Sequence, residues 1–330
     1  MPNRFIDITE IARIANVHPS TVSRALSNNP RISEKTREHI QEIAAAYGYI
    51  PDSAARGLTQ GKSMIVGIIA SDISNPFYSQ IICTIEKAMN QHGYHVIIGS
   101  SYYDSDAELK CIRTMVSRRV DALVVCNPTP ESMPLLESMS NRFPIILCDC
   151  LRPCKALDRV YVDESHGISC AVNHLLSKGH TTLGSISDIK DAPRIHMFLD
   201  HLQANGIPTP PELHILTNEH DYASGYQAVY QLHQQGILPT ALFCVRDAVA
   251  IGALRAAYEL QLAVPQQLSI VGYDDGKIAE FAYRPLTTIH QPVAQIADSV
   301  VQCVLNRLND PDQPPKEIRL IPEFIVRQST

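Results

Sequence analysis

Two acidic residues, Asp149 and Asp274, and a run of cysteines, Cys148, Cys150 and Cys154, have the types that lend themselves to chemistry. Two carboxylates at one cleft make an acid/base pair when separation and surroundings suit. Clustered thiols suggest a metal or redox site. No cysteine pair has CxxC spacing, however, and alternating cysteines also suit a strand end built from small apolar side chains. No GxGxxG and no P-loop sequence is present, so a nucleotide cofactor is not indicated. We expect no catalytic set, no metal and no cofactor.

The elements that position the carboxylates alternate in type. MIVGIIA, YHVIIG, DALVVC and PIILCD are apolar runs of strand length, with helical stretches over Phe77–Gln91 and Asp104–Ser117 between them. Strands buried on both faces read this way, which predicts parallel sheets covered by helices. A second set with TTLGSI, ALFCV and LSIVGYD begins near Tyr161. Two doubly wound lobes form a cleft at the carboxyl ends of their strands, where ligands usually sit.

A different pattern precedes them. Asp7–Val17 has Ile8, Ile11, Ala12 and Ala15 at helical spacing. Pro19 opens a second helix, Pro19–Leu26, whose Val22 and Leu26 share a face, so that Ser20, Thr21, Ser23 and Arg24 project. A third, Ser33–Tyr47, starts at a good N-cap and ends before Gly48, where a left-handed residue is wanted. Two short helices, a tight turn and a supporting helix make the helix-turn-helix arrangement, although periodicity fits a three-helix domain that binds nothing equally well.

The 330 residues suit two or three domains, and no apolar run is long enough to span a membrane. No signal peptide is visible at MPNRFIDITE, and nine cysteines without one suggest reduced thiols, so a cytoplasmic location is expected. The net charge of −6 is unevenly spread. Residues 1–62 hold eight Lys/Arg against six Asp/Glu, or +2, which leaves −8 for the rest. A mildly basic end on an acidic body fits contact with DNA by that end alone.

The segment ITEIARIANVHPSTVSRALSNNPRISEKTREHIQEIAAAYGYIPDSAARGL resembles the headpiece of the lac repressor family nearly position by position. GIIASDISNPFY, RRVDALVVC, HLLSKGH, GALRAAYELQLAVPQQLSIVGYDD and PLTTIHQP extend the resemblance over the rest of the chain. It implies a helix-turn-helix domain at 1–50, a hinge helix or linker at 51–62 and an effector core at 63–330 like the periplasmic sugar-binding proteins. The chain is expected to cross between lobes near 160, 289 and 321. The first lobe is then about 63–160 plus 290–320, and the second about 161–289 plus 321–330.

Roles follow from the resemblance. Pro19, Ser20 and Arg24 fall on positions that face base edges, with Arg24 suited to guanine. Thr21, Ser23 and Thr36 fall on phosphate-contacting positions. Ala55 and Leu58 match hinge side chains that enter the minor groove, Leu58 as the wedge. Phe77, Tyr78, Asp149, Arg194, Asp274 and Gln291 match pocket positions.

Two pocket positions depart from the family pattern. Arg246 stands where an asparagine is usual, and His220 where a large aromatic is usual. Arg194 and Arg246 facing one cavity would repel unless an anion or a protein carboxylate lay between them, which suggests an acidic effector such as a sugar acid or sugar phosphate. We expect a homodimeric regulator, more often a repressor in this family, on a pseudo-palindromic operator, with a small-molecule effector between the lobes. No heptad segment follows the apolar run near the end, which favours dimers over zipper-joined tetramers. A transport solute-binding module requires export. A sugar-acting enzyme requires catalytic geometry at Asp149 and Asp274. A core that answers to a partner protein is the third alternative.

Overall fold

The computed structural model describes residues 6–49, 62–188, 192–219 and 221–330. It divides into two compact units, 1–63 and 64–330. The expected hinge residues Ala55 and Leu58, and pocket residue His220, lie outside the described residues.

The first unit holds α1 (Ile8–Ile14), α2 (Pro19–Leu26) and α3 (Glu34–Ala46). α1 is shorter than its periodicity suggests at both ends. Asp7 is extended and caps it by accepting the Glu10 N–H at 2.8 Å. At the other end Asn16 turns left-handed, φ 52°, and breaks the helix. Ser33 caps α3 in the same way as Asp7, and Gly48 supplies the expected positive φ, 61°. Ile11, Val22, Ala25 and Ile40 are fully buried where the three helices meet.

The second unit begins with β1 (Ile65–Ala70), α4 (Pro76–Gln91), β2 (His95–Ser100), α5 (Ser105–Ser117), β3 (Ala122–Cys126), α6 (Met133–Met139), β4 (Ile145–Cys148) and β5 (Asp158–Val162). It continues with α7 (Glu164–Ser177), β6 (Leu183–Asp188), α8 (Ala192–Ala204), β7 (His214–Thr217), α9 (Tyr222–Gln234), β8 (Ala241–Cys244), α10 (Asp247–Glu259) and β9 (Ser269–Val271). α11 (Lys277–Phe281), β10 (Thr288–His290), α12 (Val293–Asn309), β11 (Glu317–Leu320) and β12 (Glu323–Ile325) complete it.

Two parallel sheets result, ordered β11-β5-β4-β3-β1-β2 and β7-β6-β8-β9, with an antiparallel β10-β12 pair beside them. Each parallel sheet buries apolar side chains on both faces, which explains the uninterrupted apolar runs of its strands. The first lobe is carried by β5 as far as Val162, two residues beyond the 160 read from the sequence. α12 then returns to pack on α4 in the first lobe, and β11 joins that lobe's sheet at its edge beside β5.

Within the second lobe, α9 and α10 cross backbone to backbone at Gly225 and Gly252. A Cβ on Gly225 would overlap the Val249 carbonyl, and one on Gly252 the Tyr222 carbonyl. Only glycine permits this approach.

Candidate functional site

In the first unit, Pro19 opens α2, and His18 caps it by accepting the Ser20 N–H at 3.3 Å through Nδ1. Val22 and Ala25 face the core, so Ser20, Ser23 and Arg24 are exposed and Pro19 and Thr21 half-buried. This single helix therefore presents hydroxyls and one guanidinium from its outer surface. Thr36 stands apart from them on α3, where its hydroxyl lies 2.7 Å from the Ser33 hydroxyl in the cap.

In the second unit both lobes wall one cavity of about 420 Å³. Phe77 and Tyr78 come from the first turn of α4 and Asp149 from the end of β4, all in the first lobe. Arg194 on α8, Arg246 after β8 and Asp274 beyond β9 come from the second. The expected pocket set thus converges, apart from two residues. His220 is outside the described residues. Gln291 is fully buried behind the wall, and its Nε2 donates to Asp274 Oδ1 at 2.7 Å, so it orients the aspartate from the second layer.

The wall is held by hydrogen bonds at strand ends. The Tyr78 hydroxyl donates to Asp149 Oδ2 at 2.9 Å. Burial, then the neighbouring Glu164, push the Asp149 carboxyl up to about 7. Burial also pushes the Tyr78 phenol well up, with Asp149 as the next cause. Asp149 and Asp274 both have positive φ, 53° and 105°, conformations that favour short polar side chains and concentrate at functional sites. Across the lobes, Arg246 donates to the Tyr103 hydroxyl at 3.0 Å.

The charge of the wall differs from the one inferred from Arg194 and Arg246 alone. Glu164, at the start of α7 and also on the wall, takes both the Nε and an NH2 proton of Arg194 on Oε1, at 2.8 and 2.7 Å. The guanidinium also stacks on the Tyr273 ring, 4.0 Å from its centroid, and donates to the Val245 carbonyl at 3.2 Å. A protein carboxylate therefore offsets this cation, and the case for an acidic ligand weakens. Sequence reasoning missed several wall residues, among them Tyr103, Arg152 and Glu164. A glutamate opening a helix after Asp163 looks like an ordinary N-terminal acid.

A second cavity, about 530 Å³, shares Asn75, Phe77, Arg246 and Asp274 with the first and opens toward Tyr222 and Ile278. The cysteines are all free, and Cys126 and Cys148 are register neighbours on adjacent strands. Among the described residues no group of three or more His, Cys, Asp or Glu is placed to hold a metal, and no helix is long and apolar enough to cross a membrane.

Residues 7–52 match the profile of bacterial regulatory proteins of the lacI family, and residues 172–330 that of a periplasmic binding protein-like domain. The chain is 32% identical to the HTH-type transcriptional regulator DegA of Bacillus subtilis, covering 98% of this chain and 97% of DegA. It is 30% identical to the HTH-type transcriptional repressor CytR of Escherichia coli, covering 97% and 95%. Its fold is similar to that of the lac repressor dimer crystallised with operator and the anti-inducer ONPF, with TM-score 0.86, 24% identity and 99% of each chain covered. A LacI family transcriptional regulator from Lactobacillus casei with bound sucrose matches at TM-score 0.73 and 26% identity, over 81% of this chain and 99% of that one.

A helix-turn-helix unit followed by a two-lobed binding core defines a DNA-binding transcriptional regulator with an effector-binding domain. The chain belongs to the lacI family of bacterial regulatory proteins.

Proposed function

We propose that the chain is a homodimeric, cytoplasmic repressor of transcription, without enzymatic activity, that releases or grips its operator according to a ligand bound between its lobes. Pro19, Ser20 and Arg24 read bases, while Thr21, Ser23 and Thr36 set the position on phosphate. Residues 51–62, with Ala55 and Leu58, form the hinge at the operator centre. The ligand is a hydroxyl-bearing small molecule, for which Phe77 and Tyr78 offer ring faces and Asp149, Arg194, Arg246 and Asp274 offer hydrogen bonds. The offset of Arg194 by Glu164 favours a neutral ligand over an acidic one.

The observation that carries this reading is that one cavity takes its polar wall from both lobes, bridged by Arg246 and Tyr103. A ligand that binds the closed arrangement better than the open one shifts the balance between them, and a two-fold dimer passes that change to its two DNA-reading ends. The relatives being transcriptional regulators supports a role without catalysis.

The test has two stages. Operator DNA is first selected from a random duplex library by the full chain. Sugars and nucleosides are then screened by thermal shift, where a ligand at 100 times its dissociation constant adds about 2.7 kcal/mol, and hits are titrated into the DNA complex. Failure to enrich a pseudo-palindrome, or a hit that leaves DNA affinity unchanged, sinks the reading.

A further inference from the structure

Asp149 ends a strand of the first lobe, and Glu164 opens the first helix that packs in the second. Both line the same cavity, and Glu164 is close enough to be the second largest influence on the Asp149 carboxyl. Two carboxyl groups, one from each lobe, thus line the same cavity.

Each has one oxygen engaged and one available. Asp149 takes the Tyr78 hydroxyl on Oδ2, and Glu164 takes both Arg194 donors on Oε1. Among the described residues neither Asp149 Oδ1 nor Glu164 Oε2 accepts a side-chain hydrogen bond. The Glu164 side chain is only 6% exposed, yet it lines the cavity. A ligand donor placed at the remaining Glu164 oxygen makes a charge-assisted hydrogen bond at the cavity wall. The Tyr273 hydroxyl, fully buried beneath Arg194, also lacks a partner among the described residues and adds to the unmet polar capacity on this side.

We propose that Glu164 is a ligand-contacting, specificity-determining residue. With Asp149 it forms a gap between two carboxylates that selects a ligand carrying two adjacent hydroxyls, one donating to each lobe. The proposal rests on the reading of this cavity as the effector site. Its physical content is two acceptor oxygens, one from each lobe, and a diol that donates to both. Arg194 fixes the Glu164 carboxylate and keeps it from swinging away. Tyr78, Arg152, Asp274 and Arg246 also line the cavity, and they bond to Asp149, the Pro128 carbonyl, Gln291 and Tyr103 respectively.

The experiment is a binding cycle on the full-length protein. Pentoses and hexoses, each paired with its deoxy analogues at successive ring positions, are titrated calorimetrically into wild type and Glu164→Gln. The expected result is one sugar for which loss of either of two neighbouring hydroxyls weakens binding about tenfold or more. Glu164→Gln weakens the parent sugar to a similar degree, yet leaves unchanged the analogue that lacks the Glu164-facing hydroxyl. Glu164→Asp keeps the charge but shortens the reach, and serves in its place if the glutamine variant does not fold. A sugar that binds both forms equally overturns the role of Glu164 while leaving the effector reading intact. If no sugar binds while DNA binding persists, the sugar reading of the cavity falls and this proposal with it.

Discussion

Asp247 and Thr288 are joined by a 2.6 Å hydrogen bond, from the threonine hydroxyl to Oδ1, and both residues are buried. The bond ties the first residue of α10 to β10, the strand on which the chain leaves the second lobe. The Gly276 N–H holds Oδ2 at 2.7 Å. Burial, then Asp274, push this carboxyl well above the usual carboxylate range, so each donor matters. Thr288→Val removes the hydroxyl at nearly constant shape. It is expected to cost about 1–3 kcal/mol, because a buried acceptor loses its partner. An unchanged urea midpoint at unchanged slope would refute this.

Asp149 makes stability depend on pH. Its carboxyl is raised from 3.8 to about 7 by burial and then by Glu164. The folded chain therefore holds a proton that the unfolded chain has lost between these values. The contribution is fully present below about pH 4 and is lost as pH rises to about 7, by at most about 1.4 kcal/mol per unit. Asp149→Asn cannot titrate. In chemical unfolding between about pH 5 and about pH 8, the variant should gain on wild type up to about pH 7 and then hold a constant difference. Parallel curves throughout would show that Asp149 does not carry the proton.

Arg24 is exposed on the outer face of α2, while its neighbours Val22 and Ala25 hold the helix in the core. Arg24→Ala should leave folding intact and relax preference at one symmetric operator position, at a cost of roughly 1–3 kcal/mol for each bidentate arginine–guanine pair removed. Competition among single-base operator variants reads this out. Uniform weakening across all variants would reduce Arg24 to a phosphate contact.

Gly252 lies against the Tyr222 backbone where α9 and α10 cross. Gly252→Ala inserts one methyl into space occupied by a carbonyl that no rotamer change can move. A loss of about 1–3 kcal/mol is expected, the usual range for an overpacked core. Thermal unfolding of the variant measures it, and an unaltered transition would mean that the helices separate at little cost.

The alternating architecture was legible in the sequence because strands buried on both faces leave unbroken apolar runs, as Ile145–Cys148 does. Asp149, Arg194 and Asp274 were legible only through resemblance. Periodicity places them at strand ends or on a helix without saying that they share a cavity. Glu164 escaped notice because its role comes from a partner 30 residues away, and the pairing appears only when α7 and α8 fold side by side. The same omission misled the electrostatics. Arg194 and Arg246 taken alone are two unopposed cations, whereas Glu164 pairs with the first, and that changes the expected ligand. The start of α1 was blurred for a local reason: Asp7 fits the helical pattern by spacing but lies outside the helix as its cap, whereas Ser33 was legible as the cap of α3 and is one.

The place of β11 governs the order in which this molecule can be made. Glu317–Leu320 closes the edge of the first sheet beside β5, although about half the chain is synthesised between the two strands. The three-helix unit needs only residues near the amino end for its core, so it can finish on the ribosome while the first sheet still lacks its final strand. During that interval β5 offers an open edge, a hazard for mispairing with other nascent chains. Slow elongation therefore lengthens the interval in which a finished three-helix unit is attached to a sensor whose first sheet has an open edge.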